Sequence, residues 1–268
     1  MKRIFIVGVA RSGTTLLQSM LASHPDIHSF PESHFFDRSI PKQKYLRLLN
    51  FIGDKANNNV LNFLSNIKSK QSFKPLYTFS NKKWIKTILK LLDKEASFYG
   101  MKIWVEKTPL HLYYTDLISQ VDNDAFFIHM IREGSGNITS LYEVSTKSPN
   151  DFKQNTLPLC INRYIKEINL SKSMIGKPNH CFIRYENLVQ FPEDELKKIV
   201  NFLKLNYSDE MMSYKSTSHS IIQEHEVWKN NNFQNLQLSQ KFKTLLSINE
   251  QKLVLKSLKG LDLNCFDV

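Results

Sequence analysis

Residues 8–15 read GVARSGTT, and the segments on either side of this stretch decide the fold class. Arg3 to Val9, RIFIVGV, is a short apolar run rich in branched residues, which predicts a strand buried on both faces. Thr14 to Ser23 has helical spacing and is followed by the breaker His24-Pro25-Asp26. A strand, a glycine-containing loop and a helix in this order open an α/β unit.

The loop itself has the spacing of a phosphate-binding P-loop, G-x-x-x-x-G-K-[ST], but it lacks the lysine. Gly8 and Gly13 permit a sharp turn and close backbone approach, and Thr14 occupies the lysine position. Backbone N–H groups and the helix N-terminus predict an anion site, to which Arg11 adds a guanidinium. In a nucleoside triphosphatase the lysine reaches the β- and γ-phosphates, so its absence disfavours an ordinary kinase or ATPase.

The remaining sequence continues the alternation of strands and helices. Strands are predicted at 101–105, 125–131 and 180–185, and helices at 110–120, 135–145, 159–174, 192–203 and 248–258. This alternation predicts a parallel central sheet with helices on both faces. Residues 33–100 differ, because amphipathic pieces near 43–51, 60–67 and 84–92 alternate with Asn- and Lys-rich connections. We therefore expect one domain, residues 1–268, with a helical insertion at 33–100.

Composition restricts the partners and the location. The net charge of +11 favours anionic partners. The sequence contains no nucleic-acid-binding motif, so we do not expect nucleic acid to be the partner. No apolar run is long enough to span a membrane. The three cysteines are far apart and the eight histidines form no ligand pattern, which predicts no disulfide, no metal site and a cytoplasmic location.

Four segments, in the expected order, resemble the sulfotransferases that use 3′-phosphoadenosine 5′-phosphosulfate (PAPS), particularly tyrosylprotein and bacterial members. They are GVARSGTTLLQSMLASHPD with PESHFF at 8–36, VEKTPLH at 105–111, IREGSGNITSLYE at 131–143 and IRYENLVQFPEDELKKIVNFL at 183–203. The resemblance implies a P-loop-type sulfotransferase fold. It also implies in-line transfer of a sulfuryl group from PAPS to a hydroxyl or amine, without a metal and with PAP as the product.

The resemblance also assigns the cofactor contacts. Arg11, Ser12, Gly13, Thr14 and Thr15 would hold the 5′-phosphosulfate, and Arg132 and Ser140 the 3′-phosphate. Tyr185 would lie against the adenosine, and Trp228 and Lys229 would belong to a late loop that closes on the nucleotide. This loop departs from the glycine-rich version of cytosolic members.

The resemblance implies that Glu32 is the general base and that Lys107 stabilises charge on the bridging oxygen, with Arg11 also counted among the catalytic residues. Glu32 has a second interpretation, as a cap for a helix that begins near His34. His28, His34, Glu106 and His111 are rival bases, and His111 is the strongest, because cytosolic members use a histidine near this region.

Two other functions stay open at this point. One is a kinase-like P-loop phosphotransferase, and the other is a non-catalytic module that binds PAP or nucleic acid. For the sulfotransferase, the expected acceptor is a small molecule, a lipid or a glycan. The insertion at 33–100 is expected on the acceptor side, where it would shape the pocket, since insertions at the carboxyl end of a sheet set specificity. The sequence does not decide the oligomeric state.

Overall fold

The structure, a computed structural model, describes residues 1–147, 156–215 and 241–267. Within these residues the strands form one sheet in the order β2-β3-β1-β4-β5, and every neighbouring pair is parallel. The strands are β1 (Lys2–Gly8), β2 (Ile27–Phe30), β3 (Ile103–Lys107), β4 (Phe126–Ile131) and β5 (His180–Arg184). The predicted fold class, a parallel sheet with helices, is confirmed.

Helices connect the strands. The α-helices are α1 (Thr14–Ala22), α2 (Lys44–Arg47), α3 (Ala56–Asn66), α4 (Asn81–Phe98), α5 (Thr115–Ser119), α6 (Gly134–Lys147), α7 (Leu157–Lys172), α8 (Tyr185–Gln190), α9 (Pro192–Phe202), α10 (Lys241–Leu245) and α11 (Ile248–Leu258). Short 3₁₀ helices cover Pro109–Tyr114, Asp209–Ser213 and Asn264–Phe266.

The central strand β1 explains why the sheet is covered on both faces. Alternate side chains of a strand point to opposite faces, and Ile4 to Val7 are all completely buried. Phe5 and Val7 belong to a core that includes residues of α3 and α4. Ile4 and Ile6 belong to a second core with residues of α1 and α9. The uninterrupted apolar run of β1 therefore has one helical layer to pack against on each face.

The helices between β2 and β3 differ in length from the amphipathic pieces in the sequence. The piece near 43–51 forms only α2, since Leu48 and Leu49 are 82% and 70% exposed and find no core to pack against. The piece near 84–92 extends to 18 residues in α4, whose inner face buries Trp84, Ile85 and Ile88. That residues 33–100 form an acceptor-side insertion stays a prediction.

Sequence analysis missed β2, which has only four residues, Ile27–Phe30, with His and Ser at the centre. Its pairing with β3, Ile27 beside Ile103 and Phe30 beside Glu106, makes it a strand. The predicted helix near His34 does not form. Residues 34–40 instead make turns, with Arg38 N–H donating to His34 O at 3.3 Å and Ile40 N–H to Phe36 O at 2.8 Å. Glu32 is therefore not a helix cap.

In the part of the chain that the structure describes, no helix has both the length and the apolar composition that crossing a bilayer requires.

Phe5 offers a test of the core beneath the site. Its ring is completely buried, stacks on Phe127 with centroids 5.6 Å apart and meets Trp104 edge-on at 5.3 Å. Phe5→Ala should lower the free energy of unfolding by about 3–5 kcal/mol, since the cavity cannot close between a strand and two rings. Urea unfolding measures this change. Phe79→Ala, at a residue 82% exposed, is the control and should change it by less than about 0.5 kcal/mol.

Candidate active site

The site lies at the edge of the sheet where all five parallel strands end. Each strand is followed by a segment whose residues the sequence singled out: the P-loop after β1, Glu32 after β2, Lys107 at the end of β3, Arg132 after β4 and Tyr185 after β5. In open parallel sheets this edge is where ligands bind. The fold therefore gathers onto one edge residues that are as much as 177 positions apart in the chain, from Gly8 to Tyr185.

The P-loop wraps tightly around the N-terminus of α1. Gly13 has a φ of 94° and Arg11 a φ of 70°, both in the left-handed region, and Ser12 N–H donates to Val9 O at 3.2 Å. Ser12, Thr14 and Thr15 are buried. Among the described residues, the buried Ser12 hydroxyl finds no hydrogen-bond partner. A buried hydroxyl without a partner is costly unless a ligand supplies one.

Four side chains, those of Tyr185, Arg132, Arg11 and Ser140, connect to one another at the P-loop. The Tyr185 ring lies so close to Gly13 that a Cβ there would be 2.3 Å from Tyr185 Cδ2. The Arg132 guanidinium lies 4.4 Å from the centre of the same ring and donates from Nη1 to Arg11 O at 2.9 Å. Arg11 Nε in turn donates to Ser140 Oγ at 3.3 Å. Two guanidinium groups and a hydroxyl thus lie next to the loop, with an aromatic face beside them.

Glu32 and Lys107 form the other half of the site. Their carboxylate and ammonium groups make an ion pair in which the Lys107 side chain is 2% exposed and that of Glu32 is 20% exposed. The second carboxylate oxygen of Glu32, Oε2, lies 3.3 Å from His34 Nε2. A buried ammonium needs such a partner, and the part of Glu32 that stays exposed leaves the carboxylate accessible from the edge of the sheet.

His34 links Glu32 to a further carboxylate. Its Nδ1 lies 3.0 Å from Asp37 Oδ2, and its backbone has a φ of 53°. Burial disfavours the imidazolium, but hydrogen bonds to Asp37 and Glu32 outweigh burial and raise the pKa of His34 to about 9. A protonated His34 at neutral pH donates to both acids and fixes the orientation of Glu32.

A buried pair, His111 and Glu106, contacts the loop that carries Glu32 and holds it in place. His111 Nδ1 lies 2.9 Å from Glu106 Oε2, and its Nε2 accepts from Phe36 N–H at 3.4 Å. Glu106 accepts from Ser33 N–H at 3.1 Å and from Ser33 Oγ at 2.8 Å. Burial opposes its charge, yet His111 and the hydrogen bonds that Glu106 accepts hold the pKa of Glu106 below its usual value. Both ring nitrogens of His111 are thus engaged with the protein.

Within the described ranges, no group of three or more His, Cys, Asp or Glu side chains is arranged to hold a metal ion.

The amino-acid sequence and the fold were compared with those of known proteins. A model of the sulfotransferase family matches residues 3–209. The chain belongs to this family. Among curated proteins, this chain is 26% identical over 218 residues to a protein-tyrosine sulfotransferase of Drosophila melanogaster. The match covers 80% of this chain and 40% of the fly protein, so this chain spans less than half of that relative's length.

Solved structures agree on the fold. A sulfotransferase domain from the curacin biosynthetic pathway superposes with a TM-score of 0.61 at 19% identity, covering 96% of this chain and 97% of the other. A mouse sulfotransferase complexed with PAP gives a TM-score of 0.56 at 14% identity, covering 96% and 83%. The chain therefore has the P-loop sulfotransferase fold that its motifs implied.

The structure brings together most of the residues that the sequence singled out. Gly13, Tyr185, Arg132, Arg11 and Ser140 form one connected group, by the contacts given above. His111 is completely buried and contacts Glu106 instead of lining the edge. His28 stacks on Tyr99 with centroids 4.9 Å apart. Trp228 and Lys229 lie outside the described residues.

Two contacts of the Glu32 loop were not found from the sequence. His34 was considered only as a rival base, although its i,i+3 spacing to Asp37 is a usable signal for a paired acid. Asn59, in α3, donates to Ser33 O at 3.1 Å and to His34 O at 3.2 Å, and nothing in the sequence indicated this role. These bonds tie α3 to the loop that carries Glu32.

The raised pKa of His34 predicts a pH dependence of folding. Its ordinary value is 6.5, so the stabilisation should be complete below about pH 6.5 and be lost as the pH rises through about 9. Relative to His34→Gln, the wild-type free energy of unfolding should fall across this window by at most about 3 kcal/mol. Urea unfolding at pH 6 and pH 10 measures the difference. A gap between the two proteins that stays constant with pH would contradict the ion pairs assigned to His34.

Proposed function

We propose that this protein transfers a sulfuryl group from PAPS to an acceptor hydroxyl at the edge where Glu32 and Lys107 meet the P-loop. The observation that carries the proposal is the juxtaposition of two halves on one sheet edge. One half supplies donors suited to anions, and the other supplies a carboxylate paired with an ammonium. The family match supports the reaction class.

The residues beside the P-loop fit a nucleotide with two anionic groups. The buried Ser12 hydroxyl, which has no hydrogen-bond partner among the described residues, and the backbone around Gly13 suit the 5′-phosphosulfate, together with Arg11, Thr14 and Thr15. Arg132 and Ser140 suit the 3′-phosphate, because a guanidinium matches the geometry of phosphate oxygens. The ring of Tyr185, which already carries Arg132 on one face, suits the adenosine.

The missing lysine agrees with this choice of ligand. Thr14 occupies its position, so the loop itself provides hydroxyl and backbone donors instead of an ammonium. The outer group of a phosphosulfate carries less charge than a γ-phosphate and needs less positive charge from the loop.

Glu32 is the proposed general base. PAPS, when bound, supplies the activated sulfuryl group, and the chain supplies the proton acceptor and the positive charge. The ion pair with Lys107 supports an ionised carboxylate, as a base must be, and the contact with His34 orients it. His111 is a poorer candidate, because its ring is buried and Nε2 accepts from Phe36 N–H.

The acceptor is a hydroxyl compound reached from the exposed side of Glu32. A small molecule, a lipid or a glycan is the class expected from the sequence. The fly relative acts on protein tyrosine by its name, which adds a tyrosyl peptide to the acceptors worth testing.

Nucleotide binding gives the first test. Calorimetric titration should give tight binding of PAP and much weaker binding of AMP and of ATP with Mg²⁺. Arg132→Ala should weaken PAP binding by about 2–4 kcal/mol, the cost of a lost charged phosphate contact. Arg38→Ala, at an exposed arginine outside the P-loop group, is the control and should leave the affinity unchanged. A preference for ATP over PAP would instead favour the phosphotransferase.

Turnover separates the two candidate bases. Glu32→Gln should keep PAP affinity and lower the rate of PAP formation from PAPS by about 10²-fold or more, with phenols, tyrosyl peptides and sugars as acceptors. His111→Gln, prepared in parallel, should lose much less activity once its PAP affinity confirms that it folds. Unchanged turnover in Glu32→Gln together with a large loss in His111→Gln would move the base to His111.

A further inference from the structure

The net charge of the protein is confined to one stretch of the chain. Between Asp37 and Asp93, residues 38–92 hold 12 of the 36 Lys and Arg but only one of the 25 Asp and Glu, Asp54. This stretch therefore carries a charge of +11, and the rest of the chain, with 24 of each sign, is neutral. Of these 12 basic residues, all but Arg47 are exposed. Such asymmetry indicates an interaction with an anionic partner.

The same stretch exposes large apolar side chains. The six most exposed of them are Tyr45 (69% exposed), Leu48 (82%), Leu49 (70%), Phe51 (48%), Tyr77 (87%) and Phe79 (82%). Three of them, Tyr77, Leu48 and Phe79, are the most exposed large apolar residues among those that the structure describes. We call these six residues, with the exposed lysines around them, the basic–apolar surface.

Hydrogen bonds hold the two segments of this surface together. Asn81, the first residue of α4, donates from Nδ2 to Arg47 O at 2.9 Å. Its backbone N–H donates to Asn50 Oδ1 at 3.4 Å. The loop that carries Leu48 and Leu49 is thereby fixed beside the residues that follow Phe79. The backbone that carries Leu48 and Leu49 therefore lies close to the start of α4, two residues after Phe79.

Lysines lie next to these apolar side chains in the sequence. Lys44 precedes Tyr45, and Lys82 and Lys83 follow Phe79 by three and four residues; all three are exposed. Long lysine side chains can lay their methylene groups along an apolar boundary and keep the ammonium at an anionic layer. Apolar side chains that insert, surrounded by cations, are the arrangement that interfacial membrane binding uses.

Two other occupants fit less well. A second copy of the chain would bring two surfaces of the same strong positive charge together, which repulsion opposes. A polyanion such as nucleic acid would pair with the lysines, but it would leave the aliphatic Leu48 and Leu49 in water. An anionic bilayer accommodates both the charge and the apolar side chains.

We propose that the basic–apolar surface docks the protein on the surface of an anionic lipid bilayer, without crossing it. The six apolar side chains of this surface enter the boundary between headgroups and acyl chains, and its lysines remain at the headgroups. This docking does not depend on the identity of the reaction, because it uses no residue of the P-loop, Glu32 or Lys107.

Vesicle sedimentation of the full chain tests the docking. Vesicles with about 30% phosphatidylserine should bind the protein at least about tenfold more strongly than pure phosphatidylcholine, and 0.5 M NaCl should remove most of the difference. Leu48→Ser combined with Leu49→Ser should reduce binding by about fivefold or more. Lys82→Glu with Lys83→Glu should reduce it as well.

Matched variants in α11 serve as controls. Ile248→Ser with Leu255→Ser removes exposed apolar side chains, and Lys252→Glu with Lys256→Glu reverses exposed charges, outside the basic–apolar surface. Both should bind vesicles like the wild type. Equal losses in the α11 variants would overturn the proposal, as would no binding to anionic vesicles at low salt. Heparin should also be tested as a polyanion without an apolar phase. If the protein binds heparin as strongly as anionic vesicles, and the Leu48→Ser, Leu49→Ser variant binds heparin as strongly as the wild type does, the surface would be assigned to a polyanion instead.

Discussion

The buried ammonium of Lys107 sets the constraint on which the chemical half of the site depends. A lysine that is only 2% exposed must have a carboxylate partner, and Glu32 supplies it from the loop after the neighbouring strand. That pairing requires β2 and β3 to be adjacent and parallel, as their register makes them. It also requires the loop after Phe30 to turn back over the end of β3, a path that the hydrogen bonds from Ser33 to Glu106 hold in place.

The two halves of the site use different physics. Around the P-loop, positive φ values and a glycine packed against Tyr185 shape a backbone cradle, and arginines add charge. Around Glu32, the shape comes from coupled acids and bases, with His34 between Glu32 and Asp37, and His111 against Glu106. An anion site needs fixed donors, whereas a proton acceptor needs a controlled orientation and charge. The strand ends bring the proposed anion site and the proposed proton acceptor to the same edge of the sheet.

The chain also separates its charge by region. The rest of the chain, outside residues 38–92, has equal numbers of acidic and basic residues, so the basic–apolar surface is a local feature. Asn59 connects the two regions, because its helix α3 lies within the basic stretch while its side chain holds the carbonyls of Ser33 and His34. A helix of the basic stretch is therefore tied directly to the loop that carries the proposed base.

The sequence by itself determined the α/β class, the P-loop and the order of the segments that line the edge, because apolar runs, glycine spacing and helix breakers act locally. The limits of α11 and the position of α1 follow from such local patterns. It could not reveal β2, whose four residues become a strand only through pairing with β3, nor the turn that replaces a helix after Glu32. Only the tertiary structure decided how the loop that carries Glu32 and His34 is held, because Ser33 donates to Glu106 and Phe36 to His111, and each of these contacts joins segments more than 70 residues apart.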